Sequence, residues 1–291
     1  MDLGKLTKQY RIQHGRHFRL KDFDPADTAG WRPKQTERAL QECIETAAEL
    51  QDRLFAQDRW ALLVIFQGID AAGKDGAIKH VMSGLNPQAC QVFAFKEPSP
   101  LELNHDFLWR TTINLPERGH IGVFNRSYYE EVLVVRVHPE LLRSEKLPTS
   151  LVTKRLWKER YEDIRNFETH VTREGTVIRK FFLHVSKEEQ RQRFLARLEE
   201  PEKNWKFSAS DAREREFWDD YQDAYEEMIR HTSTAEAPWY VVPADNKYFT
   251  RLVISAVLVG MLSELKLSYP TVPAGERKEL EAVKQELLRN K

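Results

Sequence analysis

A glycine-rich segment containing one lysine is the part of this sequence with the clearest chemistry. Gly68-Ile-Asp-Ala-Ala-Gly-Lys74-Asp-Gly76 follows the unbroken apolar run 60–66 and precedes a helical pattern over 77–85. Glycines let backbone N–H groups wrap a phosphate, and the helix N-terminus and the lysine add positive charge. The pattern therefore predicts a phosphate-binding loop, with contacts from Gly68, Ala71, Ala72, Gly73, Lys74, Asp75 and Gly76.

The position after the lysine departs from the usual phosphate-loop pattern. A Ser or Thr normally follows the lysine and ligates Mg²⁺ through its hydroxyl, whereas this sequence has Asp75 there. Asp70, inside the loop, offers a carboxylate oxygen of the kind that Mg²⁺ prefers. A carboxylate among phosphate-binding amides would repel the ligand without a cation between them. We therefore predict that Asp70 ligates an obligatory metal ion, Mg²⁺ or, as the alternative, Mn²⁺.

Two further predicted strands end in polar residues. The third strand is followed by Asn125 and Arg126, with Glu130 about one turn into the next helix, and the second strand ends at Lys96. The carboxyl ends of strands face the ligand crevice in open α/β sheets. We expect Arg126 and Lys96 to contact phosphate, and Asn125 with Glu130 to lie on the nucleotide-acceptor side. An ordinary strand end and helix cap is the alternative for the segment after the third strand.

A basic stretch at about 186–232 is a candidate lid over the phosphates. Arg193 and Arg197 are four residues apart and therefore share one helix face, and Lys206 follows them. The alternative is a solvated charged helix, which the interspersed glutamates favour. The aromatic residues of this stretch favour an ordered structure.

Composition limits the class of protein. The chain has 291 residues, 41% of them hydrophobic, and 45 basic residues balance 45 acidic ones. Zero net charge argues against nonspecific nucleic-acid binding, which needs excess positive charge. The two cysteines are far apart and indicate neither a disulfide framework nor a zinc site. The N-terminus lacks the apolar segment of a secretory signal, and the run 252–262 is too short to cross a bilayer. We expect a cytoplasmic protein without membrane or nucleic-acid partners.

The alternation of strand and helix patterns predicts an α/β fold with a mainly parallel five-stranded sheet. Residues 1–33 form an N-terminal arm, 34–270 a phosphate-loop domain with the lid, and 271–291 a helical tail. The predicted strands are 60–66, 91–95, 120–124, 176–185 and 239–243. The predicted helices are 33–54, 77–85, 101–115, one from about 128, 150–171, 187–198, 211–231, 247–265 and 276–290.

Three ordered motifs resemble the polyphosphate kinase 2 family over about residues 35–265. They are the phosphate loop, Asn125-Arg126-Ser127-Tyr128-Tyr129, and Lys203-x-Trp205-Lys206-x-Ser208-x-x-Asp211. The resemblance implies a P-loop kinase three-layer fold with a helical lid, Mg²⁺ dependence, and polyphosphate as donor or acceptor. The resemblance implies that Asp70, Lys74 and Arg126 are the catalytic residues, with Asp70 as a metal ligand. It also implies that Arg193, Arg197 and Lys206 of the lid contact polyphosphate.

Asn125 indicates which substrates the enzyme accepts. Many family members carry Asp there, and Asn followed by Tyr-Tyr-Glu-Glu resembles the class III subgroup, which phosphorylates nucleoside mono- and diphosphates. Removing a negative charge beside the acceptor eases the approach of the acceptor's own phosphate. We expect reversible phosphoryl transfer from inorganic polyphosphate to AMP and ADP, with guanine nucleotides as further candidates, by a homo-oligomer.

Two other functions remain open from the sequence. An ATP-dependent nucleoside-monophosphate kinase shares the loop and the lid, but offers no reason for Asp75; comparing polyphosphate with ATP as donor separates the two. A nonenzymatic nucleotide-binding switch would carry an N-K-x-D base-reading motif, which Asn246-Lys-Tyr-Phe249 fails at its last position. Tight nucleotide binding without turnover would favour the switch.

Overall fold

The apolar run before the glycine-rich loop forms the central strand of a sheet. In the computed structural model, which describes residues 3–206 and 212–289, every residue of the strand Ala61–Gln67 is buried. It pairs in parallel with a strand on each side, so that Val64 lies between Val123 and Arg179. Burial on both faces is the reason that this strand is continuously apolar instead of alternating.

Six strands in the described part of the chain form one sheet. In chain order they are β1 Arg11–Ile12, β2 Ala61–Gln67, β3 Cys90–Ala94, β4 Ile121–Asn125, β5 Thr176–His184 and β6 Trp239–Pro243. Their order across the sheet is β1-β6-β5-β2-β4-β3, and all neighbours are parallel except β1 and β6. The predicted α/β fold with a mainly parallel sheet is confirmed.

The prediction of five strands was wrong by one, because the N-terminal arm contributes an edge strand. β1 has only two residues, too few to show an alternating pattern, and it exists because Arg11 pairs with Tyr240 on β6. The arm is anchored further along, where Tyr10 Oη donates to Asp27 Oδ2 at 2.6 Å and the carbonyl of Phe18 accepts from Arg230 Nε at 2.8 Å.

Helices cover both faces of the sheet. They are α1 Leu3–Tyr10, α2 Pro33–Gln57, α3 Lys74–Val81, α4 Trp109–Thr112, α5 Val134–Val137, α6 Leu156–Arg173, α7 Lys187–Glu199, α8 Trp218–Thr232, α9 Lys247–Glu264 and α10 Ala274–Arg289. Helix α9 packs against α1, α2 and α3, whereas α8 packs against α5 and α6. Two helix groups around a sheet that is buried on both faces form three layers. None of the described helices is long and apolar enough to cross a membrane.

Two predicted helices are mostly absent from the described structure. The segment predicted as a helix over 101–115 has only the short turns Glu102–Asn104 and Trp109–Thr112. Asp106 Oδ1 accepts from the backbone N–H of Leu108 at 3.0 Å, a local bond that competes with helix formation. After β4, a 3₁₀ turn over Tyr128–Val132 and the one-turn helix α5 replace the helix predicted from about residue 128.

Candidate active site

The glycine-rich loop joins the carboxyl end of β2 to the N-terminus of α3. Gly73 has φ 105°, a value that favours glycine, and Ala71 adopts the left-handed region at φ 61°. A Cβ on Gly68 would lie 3.0 Å from the carbonyl oxygen of Leu183, so β5 approaches the loop too closely for a side chain there. The predicted placement of the glycine-rich loop between a strand and a helix is therefore present.

Lys74 is buried inside this loop at the first position of α3. Its Nζ donates to the carbonyl oxygen of Gly68 at 2.5 Å and to that of Ile69 at 3.3 Å. Burial, with the neighbouring Arg126, lowers the pKa of Lys74 to about 8, although nearby carboxylates oppose the shift. The amino group thus lies among the loop's own backbone atoms, where a phosphate's negative charge would favour its protonated form.

Arg126 joins the loop to the segment after β4. Its guanidinium contacts the carboxylate of Asp70, and its Nη1 donates to Glu130 Oε2 at 2.9 Å. Glu130 first, and Asp70 as well, raise the pKa of Arg126 further above its ordinary value. The residue adopts φ 64°, and its N–H donates to the carbonyl of Phe66 at 3.0 Å, which fixes it at the edge of the sheet. Asp70 of the loop, together with Arg126 and Glu130 of the segment after β4, therefore forms one charged cluster.

Asn125 and Asp75 form a second link between β4 and the loop. The Asn125 amide donates to Asp75 Oδ1 at 2.7 Å, across the N-terminal turn of α3. Asp75 takes the place of the usual Ser or Thr, and Asn125 takes the place of the usual acidic residue. The two residues are thus hydrogen-bonded to each other. This pairing couples the two departures from the common phosphate-loop pattern.

Arg193, which was predicted to contact polyphosphate, lies on the buried side of α7. Its Nη1 donates to the carbonyls of Ala71 (2.9 Å) and Ala72 (2.8 Å), and its Nη2 to that of Ala244 (2.6 Å). Its Nε donates to Glu189 at 2.8 Å, and the side chain is 9% exposed. The guanidinium therefore links the glycine-rich loop to the segment before α9, because its N–H groups donate to backbone carbonyls of both.

The other predicted basic contacts do not join the cluster in the described structure. Arg197 is half-buried, with its guanidinium 5.5 Å from the ring centre of Phe194. Lys96 is exposed, and its carbonyl accepts from Arg110 Nη2 at 2.9 Å. The backbone of Lys206 ends a 3₁₀ turn, but its side chain lies outside what the structure describes, as do Ser208 and Asp211.

The sequence reasoning missed side chains that face this cluster. Tyr225 of α8 is buried, and burial first, then Glu130, raises its pKa well above the ordinary value. Arg110 lies against the ring of Phe95 at 5.2 Å and pairs with Glu102 at 3.2 Å; the charge of Glu130 also acts on it. Tyr225 follows Tyr221 at helical spacing, which predicts a buried helix face and not a site. Arg110 lies in a segment whose predicted helix is mostly absent, so its sequence context carried no signal.

A buried ion pair lies behind the cluster. Lys180 of β5 is fully buried and donates to Glu168 Oε2 at 2.6 Å, to Tyr129 Oη at 2.9 Å and to the carbonyl of Thr232 at 2.8 Å. Tyr128 and Tyr129 both donate to Glu168 Oε1, at 2.8 and 2.7 Å. The network ties the Tyr-Tyr pair that follows Arg126 to β5, α6 and the end of α8.

Several known proteins are similar to this chain in sequence. The family model for polyphosphate kinase 2 matches residues 31–269. The chain is 54% identical over 285 residues to an ADP-polyphosphate phosphotransferase of Rhodopseudomonas palustris, covering 97% of this chain and 99% of that one. It is 44% identical over 270 residues to an AMP/ADP-polyphosphate phosphotransferase of Meiothermus ruber, covering 90% and 95%.

A solved structure gives the same result for the fold. The crystal structure of polyphosphate kinase 2 from Arthrobacter aurescens superposes with a TM-score of 0.86 at 37% sequence identity, and covers 97% of both chains. The family resemblance inferred from three motifs is therefore confirmed along most of the chain, and this protein belongs to the polyphosphate kinase 2 family.

Proposed function

We propose that this chain transfers phosphoryl groups reversibly between inorganic polyphosphate and adenine nucleotides, and that it accepts both AMP and ADP. The observation that carries the proposal is the convergence of Asp70, Lys74 and Arg126 where β2 and β4 end. Membership of the polyphosphate kinase 2 family supports polyphosphate as the phosphoryl source. The relative from Meiothermus ruber, named for both AMP and ADP, supports the two acceptors.

Phosphoryl transfer needs positioning and charge neutralisation more than covalent chemistry by the protein. Loop amides and Lys74 hold the donor phosphates, and Arg126 stabilises the charge that develops on the transferred group. The donor's bridging P–O bond breaks as a phosphate oxygen of the nucleotide forms the new P–O bond. Because that oxygen already carries negative charge, the reaction requires no strong general base.

Asp70 is the proposed ligand of a divalent metal, Mg²⁺ or Mn²⁺. Mg²⁺ is commonly held by one or two carboxylates together with substrate phosphates, and the Asp70 side chain is 31% exposed beside the loop. In the part of the chain that the structure describes, no group of three or more His, Cys, Asp or Glu side chains is arranged so that it could hold a metal ion. One carboxylate beside a phosphate loop nonetheless fits a metal carried with its substrate. When bound, the ion neutralises phosphate charge.

The acceptor nucleotide is proposed to lie on the β4 side of the loop. Asn125 and Glu130 face this side, and Arg110 adds a positive charge that the sequence analysis did not include. A neutral Asn125 leaves room for the charge of a monophosphate. Arg197 and Lys206 remain proposed lid contacts to the polyphosphate chain. We also propose that the enzyme is a cytoplasmic homo-oligomer and that it accepts guanine nucleotides.

The test mixes purified protein, Mg²⁺ and long-chain polyphosphate with AMP or ADP separately, and follows ADP and ATP by anion-exchange chromatography. We expect both acceptors to be phosphorylated, and a Lys74→Ala control to be nearly inactive. Replacing polyphosphate by ATP as the donor to AMP tests the ATP-dependent alternative. Products from ATP but not from polyphosphate would reject the proposal, and nucleotide binding without any product would favour a switch.

A further inference from the structure

We infer that a groove between α2, α3 and α9 binds the part of a polyphosphate donor that extends beyond the phosphate loop. The inference rests on the proposed function and adds to it a binding site for the distal phosphates of the chain. The groove has a volume of about 600 Å³, and its charged and polar lining includes Lys34, Arg38, His80, Tyr248 and Arg251.

The groove shares Arg251 with a smaller cleft beside the glycine-rich loop. This cleft of about 70 Å³ is lined by Gly73 and Gly76 of the loop, by Lys247 and by Arg251. Arg251 lines the groove as well, and His80 extends it one helical turn along α3, where its Nδ1 lies 2.8 Å from the Gly76 carbonyl. A polyanion held at the loop would therefore pass Arg251 as it extends outward over α3.

Arg251 is the side chain that most favours an anionic ligand. It is half-buried over the ring of Tyr248, at 5.4 Å from the ring centre, and burial lowers its pKa. Among the described residues it forms no salt bridge, whereas Arg110, Arg126, Arg179 and Arg193 each contact a carboxylate. A half-buried guanidinium without a carboxylate partner gains from a bound phosphate, which supplies the anionic acceptors that it lacks.

The charge of the groove suits a polyphosphate better than the nucleoside of an ATP donor. Three cationic side chains, Lys34, Arg38 and Arg251, line the groove with one carboxylate, that of Glu37, and Arg38 is also paired with Glu42 beside the groove. The Arg251 guanidinium lies over one face of Tyr248 and takes up one position at which a purine could stack. A chain of repeating anions gains from each cation in succession, whereas a neutral nucleoside gains little from them.

The experiment compares donors of different length with ADP as acceptor. Tetrapolyphosphate occupies the loop and reaches little of the groove, whereas long-chain polyphosphate fills it. Arg251→Gln, and separately the double variant Lys34→Gln/Arg38→Gln, should lower kcat/KM for long chains about fivefold, the effect of losing a partly exposed charge contact. With tetrapolyphosphate the loss should stay below about twofold. Arg251→Lys should retain most of the long-chain activity.

Arg155→Gln is the matched control. Arg155 is exposed and pairs with Glu159 four residues later, as Arg38 pairs with Glu42, but it does not line the groove. It should leave both donors unaffected. Added salt should reduce the advantage of long chains in the wild type, because partly exposed charges are screened.

Three results would overturn the inference: equal losses for both donors, unchanged long-chain kinetics in the variants, or a wild type without a long-chain advantage. If Arg251→Gln unfolds, the α2 double variant still decides, because both of its side chains are exposed on the helix surface. A wild-type enzyme that uses no polyphosphate of any length would instead reject the proposed function itself.

Discussion

Arg193→Ala tests whether the guanidinium of Arg193 is a brace or a substrate contact. Its contacts at 2.6–2.9 Å to the carbonyls of Ala71, Ala72 and Ala244 connect the phosphate loop to the segment before α9. Its Nε is paired with Glu189 at 2.8 Å. Truncation removes all of these contacts at once and leaves the carbonyls of a buried segment without their donor.

We expect the Arg193→Ala variant to be much less stable than the wild type. Breaking a buried, hydrogen-bonded charge costs about 3–5 kcal/mol, because the partners left behind keep their desolvation cost. For a domain of this size, 1 kcal/mol corresponds to about 2–4 °C in Tm, so we expect Tm to fall by about 6 °C or more. A loosened loop holds neither substrate well, so kcat/KM should fall to a similar degree for polyphosphate and for nucleotide.

Thermal unfolding and two-substrate kinetics measure these effects on the same preparation. Arg191→Ala is the matched control, because Arg191 lies on the same helix with 55% of its side chain exposed, and its ion pair with Glu188 is on the surface. That variant should unfold at the wild-type temperature. Arg197→Ala should weaken polyphosphate more than nucleotide. If Arg193→Ala unfolds at the wild-type temperature and raises only the KM for polyphosphate, Arg193 does not stabilise the loop. It then contacts polyphosphate, as its motif predicts.

Three further substitutions test the rest of the site. Asp70→Asn should lower kcat about 100-fold across a Mg²⁺ titration while Tm is retained, since it removes the charged metal ligand; a near-normal rate would remove Asp70 from the mechanism. Asn125→Asp replaces the amide that lies 2.7 Å from Asp75 Oδ1 by a second carboxylate, and should reduce kcat/KM for AMP more than for ADP; equal losses would contradict the acceptor role. Glu168→Gln strands the buried Lys180 and should destabilise the fold by about 3 kcal/mol in thermal unfolding, part of which Lys180→Met should restore in the double variant; a single variant as stable as the wild type would show that the ion pair is dispensable.

Local sequence was sufficient for the elements whose signals lie within a few residues. The strand at Ala61–Gln67 is apolar throughout because both of its faces are covered, and the glycines of the loop after it are required by backbone shape. Three short motifs were enough to indicate the family, since each spans at most nine residues. The rule that parallel strands end at one edge predicted Arg126 on the side of the sheet where Asp70 lies, but it also predicted Lys96, which is exposed and lies outside this cluster.

Tertiary structure alone decided the roles of residues whose neighbours come from distant parts of the chain. Helical spacing puts Arg193 and Arg197 on one face of α7, but it does not tell which one is buried. Arg193 is buried because the carbonyl of Ala244, 51 residues later, meets it, and because the phosphate loop, more than a hundred residues earlier, supplies two further acceptors. The edge strand Arg11–Ile12 likewise exists only through β6. Spacing along a chain specifies which side chains are neighbours on one element, whereas burial depends on what the rest of the fold brings against that element.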